Sequence, residues 1–149
     1  MSGSKMPFQS AAQHNLYWRL QLAAHFMQKR ADRNLGADAG ITTAQTGVLA
    51  VIAKGDAVTQ KDVAKALGLN ESAVTAMVRR LIALDYVARR KSETDGRAKI
   101  LSLTDSGRDV QKNVRPPFRK INAEIASALT DSEIAQLSDY LDRLTRAFE

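Results

Sequence analysis

The side chains of this sequence that could do chemistry are mainly cationic, and they concentrate in one stretch. Between Asn70 and Lys99 there are seven lysine or arginine residues against four acidic residues. Guanidinium and ammonium groups bind phosphates through charge-assisted hydrogen bonds, which arginine can make in pairs. The whole chain carries a net charge of +6, with a sequence pI near 9.8. This balance favours a polyanionic partner.

Patterns of catalytic residues are missing from the sequence. The absence of cysteine excludes disulfides, thiolate catalysis and cysteine zinc sites. There is no nucleophile–base arrangement, no phosphate-cradling glycine loop and no cluster of metal ligands. The two histidines, His14 and His25, would lie about 16 Å apart along one helix, too far to share a metal ion. We therefore expect neither an enzyme nor a cofactor.

The size and hydropathy of the chain are those of one globular domain. Its 149 residues are enough to bury a hydrophobic core. The first residues lack the apolar segment of a signal peptide, and no apolar run approaches the roughly 18 residues that span a bilayer. We expect a soluble cytoplasmic protein with no membrane partner.

The elements that position the cations begin with two short helices. Thr59 followed by Asp62 is a capping pattern, and Val63, Ala64 and Leu67 then form one apolar face. Gly68 ends this helix, and Asn70 can cap the next, which runs to about Leu84. Two helices joined by so short a turn predict a helix-turn-helix.

A hairpin follows directly. The segments 86–91 and 99–103 are short strand candidates, separated by the polar turn Ser92-Glu-Thr-Asp-Gly-Arg97. A hairpin after a helix-turn-helix is a wing. The fold class predicted is mainly α with a small β-hairpin wing, a winged helix-turn-helix flanked by helices.

The flanking helices carry unusually long apolar faces. Capping boxes at Thr42 and Thr130 open two further helices, and Pro116-Pro117 should bend the long helix from about 105 to 128. The last helix has a coiled-coil-like seam. We expect the terminal helices to form a dimer interface, with packing against the first helix as the alternative. The predicted interface residues are Leu16, Leu20, Ile134, Leu137, Leu141, Leu144 and Phe148.

In the order of its elements, the chain resembles the MarR family of bacterial transcription regulators from about His14 to Phe148. The wing of that family carries an aspartate, an arginine two residues later, and then Leu-Thr-x-x-Gly. Asp95, Arg97, Leu103-Thr104 and Gly107 match this pattern. Asp85 stands where the family usually has glycine, and aspartate tolerates the left-handed conformation better than most residues.

The resemblance and the amphipathic pattern together indicate which side chains contact double-stranded DNA. With Val74, Val78 and Leu81 inward, the second helix of the pair presents small and basic residues to the major groove, and Arg97 at the wing tip suits the minor groove. We expect Asp95 to hold Arg97, or an arginine of the recognition helix, in a bidentate pair. An ordinary solvated face is the alternative. The predicted DNA-binding residues are Asn70, Ser72, Ala73, Thr75, Ala76, Arg79, Arg80, Arg89, Arg90, Asp95 and Arg97.

An effector site is also implied. Relatives of this type bind small aromatic or phenolic acids between the first helix and the winged part. A polar-aromatic stripe on the first helix is the candidate here, with Arg19 as an anion partner and packing at an interface as the alternative. The predicted effector-binding residues are His14, Trp18, Arg19 and His25.

Together these patterns predict a single MarR-like domain over residues 1–149. Residues 41–103 would form the DNA-binding part, and 10–35 and 104–149 the helical dimerisation part. The predicted function is that of a ligand-responsive repressor acting as a homodimer on a pseudo-palindromic operator. The alternative is a constitutive or architectural DNA-binding protein without an effector.

Overall fold

The computed structural model describes residues 15–36 and 40–149. This part of the chain is mostly helical, with one antiparallel hairpin, as the sequence predicts. The elements are α1 (Leu16–Leu35), α2 (Thr43–Lys54), α3 (Gln60–Leu67), α4 (Glu71–Ala83), β1 (Val87–Lys91), β2 (Lys99–Leu103), α5 (Asp105–Asn113), α6 (Arg115–Ala128) and α7 (Asp131–Phe148). The predicted start of the first helix, at residues 10–14, lies outside the described residues.

Local capping determines where the helices begin. At each of three N-termini a threonine hydroxyl accepts a backbone N–H three residues on, and the side chain there accepts the N–H of the threonine. These reciprocal bonds satisfy backbone donors that a helix cannot pair internally. The capping boxes predicted from the sequence are thus confirmed at Thr42–Gln45, Thr59–Asp62 and Thr130–Glu133.

The hydrophobic core lies in the middle of the chain. It is built by one face each of α2, α3 and α4, closed by the hairpin and by the end of α5. Burying each such aliphatic side chain contributes roughly 1.5–3 kcal/mol. The largest fully buried side chains are Leu49, Leu81, Leu101, Val48, Val63, Val74, Val78 and Val87.

The hairpin pairs β1 with β2 from Val87↔Leu103 at its base to Lys91↔Lys99 near its tip. A second contact fixes it to the helices, because the N–H of Leu101 donates to the carbonyl of Val58 at 2.8 Å. Val58 precedes α3, so the hairpin is joined by backbone bonding to the start of the helix-turn-helix.

The predicted long helix over 105–128 is divided in two. α5 ends at Asn113, Val114 lies between with φ −84° and ψ −11°, and α6 begins at Arg115 with prolines in its first turn. Proline has no N–H to donate and clashes with the preceding turn, but it is tolerated at a helix start. The bend expected at Pro116-Pro117 therefore falls just before them.

The outer helices bury little of their surface. Ala31 is the buried residue of α1, and α6 and α7 have none. α1 packs along α6, where Arg30 Nε donates to Glu124 Oε2 at 3.0 Å. Within residues 15–36 and 40–149, none of the helices is both long and apolar enough to cross a membrane.

Candidate nucleic-acid interface

The turn that aims α4 is held by backbone geometry and by one side chain. Gly68 adopts the left-handed conformation at φ 62°, and the N–H of Leu69 donates to the carbonyl of Ala64 at 2.9 Å. Asn70 then caps α4, since its Oδ1 accepts the N–H of Ala73 and the hydroxyl of Ser72, both at 2.8 Å.

α4 divides cleanly into an inner and an outer face. Val74, Val78 and Leu81 are completely buried. The residues predicted to face DNA lie on the other side, with Ala73 and Thr75 half-buried and the rest exposed. Small side chains at the start of the helix allow close approach to a groove, and the two arginines follow near its end. The exposed set is Ser72, Ala76, Arg79 and Arg80.

Thr75 is bonded to the neighbouring helix, which the sequence analysis did not anticipate. Its Oγ1 donates to the carbonyl of Glu71 at 2.8 Å and accepts from Gln60 Nε2 at 2.9 Å. Gln60 lies fifteen residues earlier, at the start of α3. Gln60 is the first residue of α3 and not part of its capping box, so the contact between the helices was not predictable from spacing.

The wing carries a row of exposed cations. Arg89 and Arg90 lie opposite Leu101 and Ile100 in the hairpin register, and both are exposed. Arg97 is exposed beyond the last strand pair. In the described part of the chain, none of the arginines of α4 or the wing takes part in an ion pair. They are available to phosphates or bases.

The tip of the wing corrects one prediction. Asp95 forms no ion pair with Arg97 or with α4. Its Oδ1 instead accepts the backbone N–H of Arg97 at 3.1 Å, and its carbonyl accepts the N–H of Ala98 at 3.0 Å. An aspartate readily bonds the backbone two residues on, and this local contact costs less ordering than pairing with a long side chain. Asp95 therefore shapes the turn that presents Arg97.

The base of the wing is fastened to the end of α4. Asp85 has φ 59°, as expected where relatives use glycine. Thr104 bonds to two residues just after the end of α4. Its hydroxyl donates to the carbonyl of Asp85 at 2.5 Å, and its backbone N–H donates to the carbonyl of Tyr86 at 3.1 Å. The same hydroxyl caps α5 by accepting the N–H of Gly107 at 2.9 Å. The Leu-Thr-x-x-Gly segment thus connects recognition helix, wing and α5.

The predicted effector residues lie only partly in the described chain. His14 is outside it, whereas Trp18, Arg19 and His25 are exposed on α1. A cavity of about 550 Å³ lies further along, between α1 and α6. The ring of His25 meets that of Phe26 at 5.5 Å, and Phe26 lines this cavity. The lining is Phe26, Met27, Lys29, Arg30, Arg33, Ile121, Glu124, Ile125 and Ala128.

The predicted dimer residues gather along one groove. α1 and α7 enclose an apolar space of about 550 Å³. Its walls include Leu16 and Leu20 on one side and Leu137, Leu141 and Leu144 on the other, each between 39% and 54% exposed. Phe148 is 89% exposed beyond it, and Ile134 is half-buried.

Comparisons with known proteins agree with this arrangement. A sequence model of the MarR family matches residues 39–98. The HTH-type transcriptional repressor MdtR of Bacillus subtilis (strain 168) is 34% identical over 110 residues, 74% of this chain and 71% of MdtR. The HTH-type transcriptional regulator MgrA of Staphylococcus aureus is 27% identical over 143 residues, 92% of this chain and 95% of MgrA.

A solved structure extends the match to the whole fold. The S. aureus MepR–DNA complex superimposes with a TM-score of 0.82 at 26% identity, covering 91% of this chain and 99% of the MepR chain.

Proposed function

The chain belongs to the MarR family of DNA-binding transcription regulators, and we propose that it represses transcription as a homodimer on a pseudo-palindromic operator. The observation that carries this proposal is the row of exposed arginines on α4 and the wing, none of which forms an ion pair within the described residues. MdtR is named a repressor and MepR has been solved with DNA, which supports the same role here.

In this proposal α4 enters the major groove. Asn70, Ser72, Ala73, Thr75 and Ala76 face the base edges at its start. Arg79 and Arg80 lie about two turns on, where phosphates are the expected partners.

The wing contacts the flanking backbone. Arg89 and Arg90 bind phosphates, and Arg97 enters the adjacent minor groove from the end of a thin hairpin. Asp95 lies in the same interface and acts by shaping the turn that presents Arg97.

Dimerisation follows from the uncovered leucines between α1 and α7. A monomer would leave this apolar groove exposed to water. Exposed apolar patches of this kind normally mark an association surface. Two-fold pairing buries the same face on both copies. It would also set two α4 helices about 34 Å apart, one turn of DNA, which requires a pseudo-palindromic site.

An aromatic carboxylate is the effector class that the α1–α6 cavity suits. Lys29 and Arg33 supply cations, and Phe26 and Ile121 supply apolar walls. Arg30 is already paired with Glu124 of the same lining. A ligand bound between α1 and α6, which both belong to the helical part, would shift these helices and so change the spacing of the two α4 helices. His25 directly precedes Phe26 of the lining, and Trp18 and Arg19 lie about two turns before it, so these residues would shape the approach to the cavity.

The test begins with DNA fragments selected by the protein from a random pool. Affinity for a recovered site should fall steeply with salt, since bound arginines release counterions. Arg97→Ala should cost about 1–3 kcal/mol of binding free energy and lower the salt slope by about one. Arg119→Ala on α6 removes the same charge elsewhere and is the matched control.

Two results would decide against the proposal. If Arg97→Ala and Arg119→Ala bind equally well, the wing does not contact DNA. If no aromatic carboxylate raises the melting temperature, the regulator without an effector is the better description.

A further inference from the structure

The hydroxyl of Thr75 is engaged by protein on two sides. It donates to the carbonyl of Glu71 in the preceding turn of α4, at 2.8 Å. It accepts from the side-chain amide of Gln60, on α3, at 2.9 Å. Thr75 and Gln60 are both half-buried. The bond therefore lies at the seam between the two helices of the helix-turn-helix, next to the face proposed to enter the groove.

This arrangement limits what Thr75 can offer a base. A hydroxyl has one proton to donate and two lone pairs. The proton is used on Glu71 and one lone pair on Gln60, so donation to a base would require breaking the bond to Glu71. Apart from one remaining lone pair of the hydroxyl, the group of Thr75 with no such commitment is its γ-methyl. In the major groove, an apolar methyl is recognised by the C5-methyl of thymine.

We propose that Thr75 reads a thymine through its γ-methyl, and that Gln60 is a positioning residue that keeps the hydroxyl turned toward the protein. The inference rests on the proposed function, since it requires α4 in the major groove. Ala76, exposed beside Thr75, makes the neighbouring surface apolar as well. The first turns of α4 would then prefer thymine by contact rather than by hydrogen bonding.

The experiment replaces single thymines of a selected operator by deoxyuridine, which lacks only the C5-methyl. At one position in each half-site, wild-type affinity should fall about fourfold, the worth of one buried methyl group. Thr75→Ser retains the hydroxyl and loses the methyl, so it should bind the thymine and uracil sites alike. Thr75→Val retains a methyl and should still discriminate.

Gln60→Ala tests the positioning role. It should reduce the ratio of thymine to uracil affinity at that position while sensitivity at other positions is unchanged, a result that a merely structural role would not produce. Thr145→Ser is the matched control for Thr75→Ser, because the Thr145 hydroxyl also donates to the carbonyl four residues back, but in α7. Circular dichroism establishes that each variant is folded.

The outcomes distinguish a failure of the proposed function from a failure of this inference. If the protein selects no DNA, the proposed function and this inference both fail before any uracil is introduced. If it binds DNA but no thymine shows the effect, the inference is overturned. If Thr75→Val loses affinity while Thr75→Ser retains discrimination, the hydroxyl is the reading group and the inference is also overturned.

Discussion

Gly107 lies against the backbone carbonyl of Tyr86 so closely that a Cβ on Gly107 would overlap the oxygen. Tyr86 immediately precedes the wing, and Gly107 is in the first turn of α5, which begins after the wing returns. The contact closes the hairpin at its base. Together with the bonds from Thr104 to Asp85 and Tyr86, it makes α4, the wing and α5 one mechanical unit.

Replacing Gly107 by alanine should therefore destabilise the protein. The obstacle is backbone rather than a flexible side chain, so relief requires moving Tyr86 or α5, at a cost of about 1–3 kcal/mol. Urea unfolding measures the loss. Gly96→Ala is the control, because a Cβ at Gly96 meets nothing within 4 Å. Equal stability of the two variants would show that the base of the wing is not rigid.

Replacing Asp95 should change DNA affinity in two opposite ways, by removing a negative charge and by removing a hydrogen bond of the turn. If Asp95 acted only as a charge beside DNA, Asp95→Ala would tighten binding. Because Asp95 Oδ1 accepts the N–H of Arg97, we expect Asp95→Ala to weaken binding about fivefold, the worth of a hydrogen bond near 1 kcal/mol. Asp95→Asn retains the acceptor and should bind at least as well as wild type. Fluorescence anisotropy with a labelled operator measures the affinity of each variant and of the wild type.

The apolar groove predicts the behaviour of one leucine. Leu137→Asp places a charge among exposed leucines of α1 and α7, where dimer burial would desolvate it at a cost of several kcal/mol. The variant should be monomeric at micromolar concentration in sedimentation equilibrium, and its affinity for a palindromic site should drop sharply. Ser138→Asp is the control, because it adds the same charge at the next position of α7, which is exposed and outside the groove lining. A wild-type protein that is itself monomeric would contradict the dimer.

The capping box of α3 predicts a dependence of stability on pH. The N–H and hydroxyl of Thr59 donate to Asp62 at 2.8 and 2.7 Å, and these bonds hold the pKa of Asp62 below its ordinary value of 3.8. Bonds from Thr130 lower the pKa of Glu133 in the same way. For a lowered carboxyl pKa, the stabilisation is complete above the unfolded-state value and is lost as pH falls through the folded-state value.

Stability should accordingly be constant near pH 6 and decline below about pH 4. Asp62→Asn removes one of the titrating groups, so its unfolding free energy should be lower than wild type at pH 6 and should change less between pH 6 and pH 3. Thermal melting at the two pH values checks this. Parallel curves for variant and wild type would mean that Asp62 does not contribute to the pH dependence.

Local signals in the sequence predicted the helices and the wing because the physical causes are local. A threonine with an acceptor three residues on caps a helix wherever the chain runs, and Asp85 adopts φ 59° as its position after α4 requires. The outward face of α4 was likewise predictable, since burying Val74, Val78 and Leu81 leaves one set of residues outside.

Contacts between distant residues were beyond such reasoning. The bond from Gln60 to Thr75 depends on how α3 crosses α4. The expected pairing of Asp95 with an arginine side chain was wrong, because the carboxylate instead accepts the backbone N–H of Arg97.

The sequence by itself determined the order of the elements and the basic surface of α4 and the wing, because composition, periodicity and capping act over a few residues. Its wing motif carried the resemblance to the family. The tertiary structure alone decided what each polar group is already bonded to, and which apolar faces stay uncovered. Thr75 turns its hydroxyl inward, Gly107 has no room for a side chain, and the leucines of α1 and α7 face each other across an open groove. Such facts depend on packing between segments far apart in the chain, and spacing along a sequence does not encode them directly.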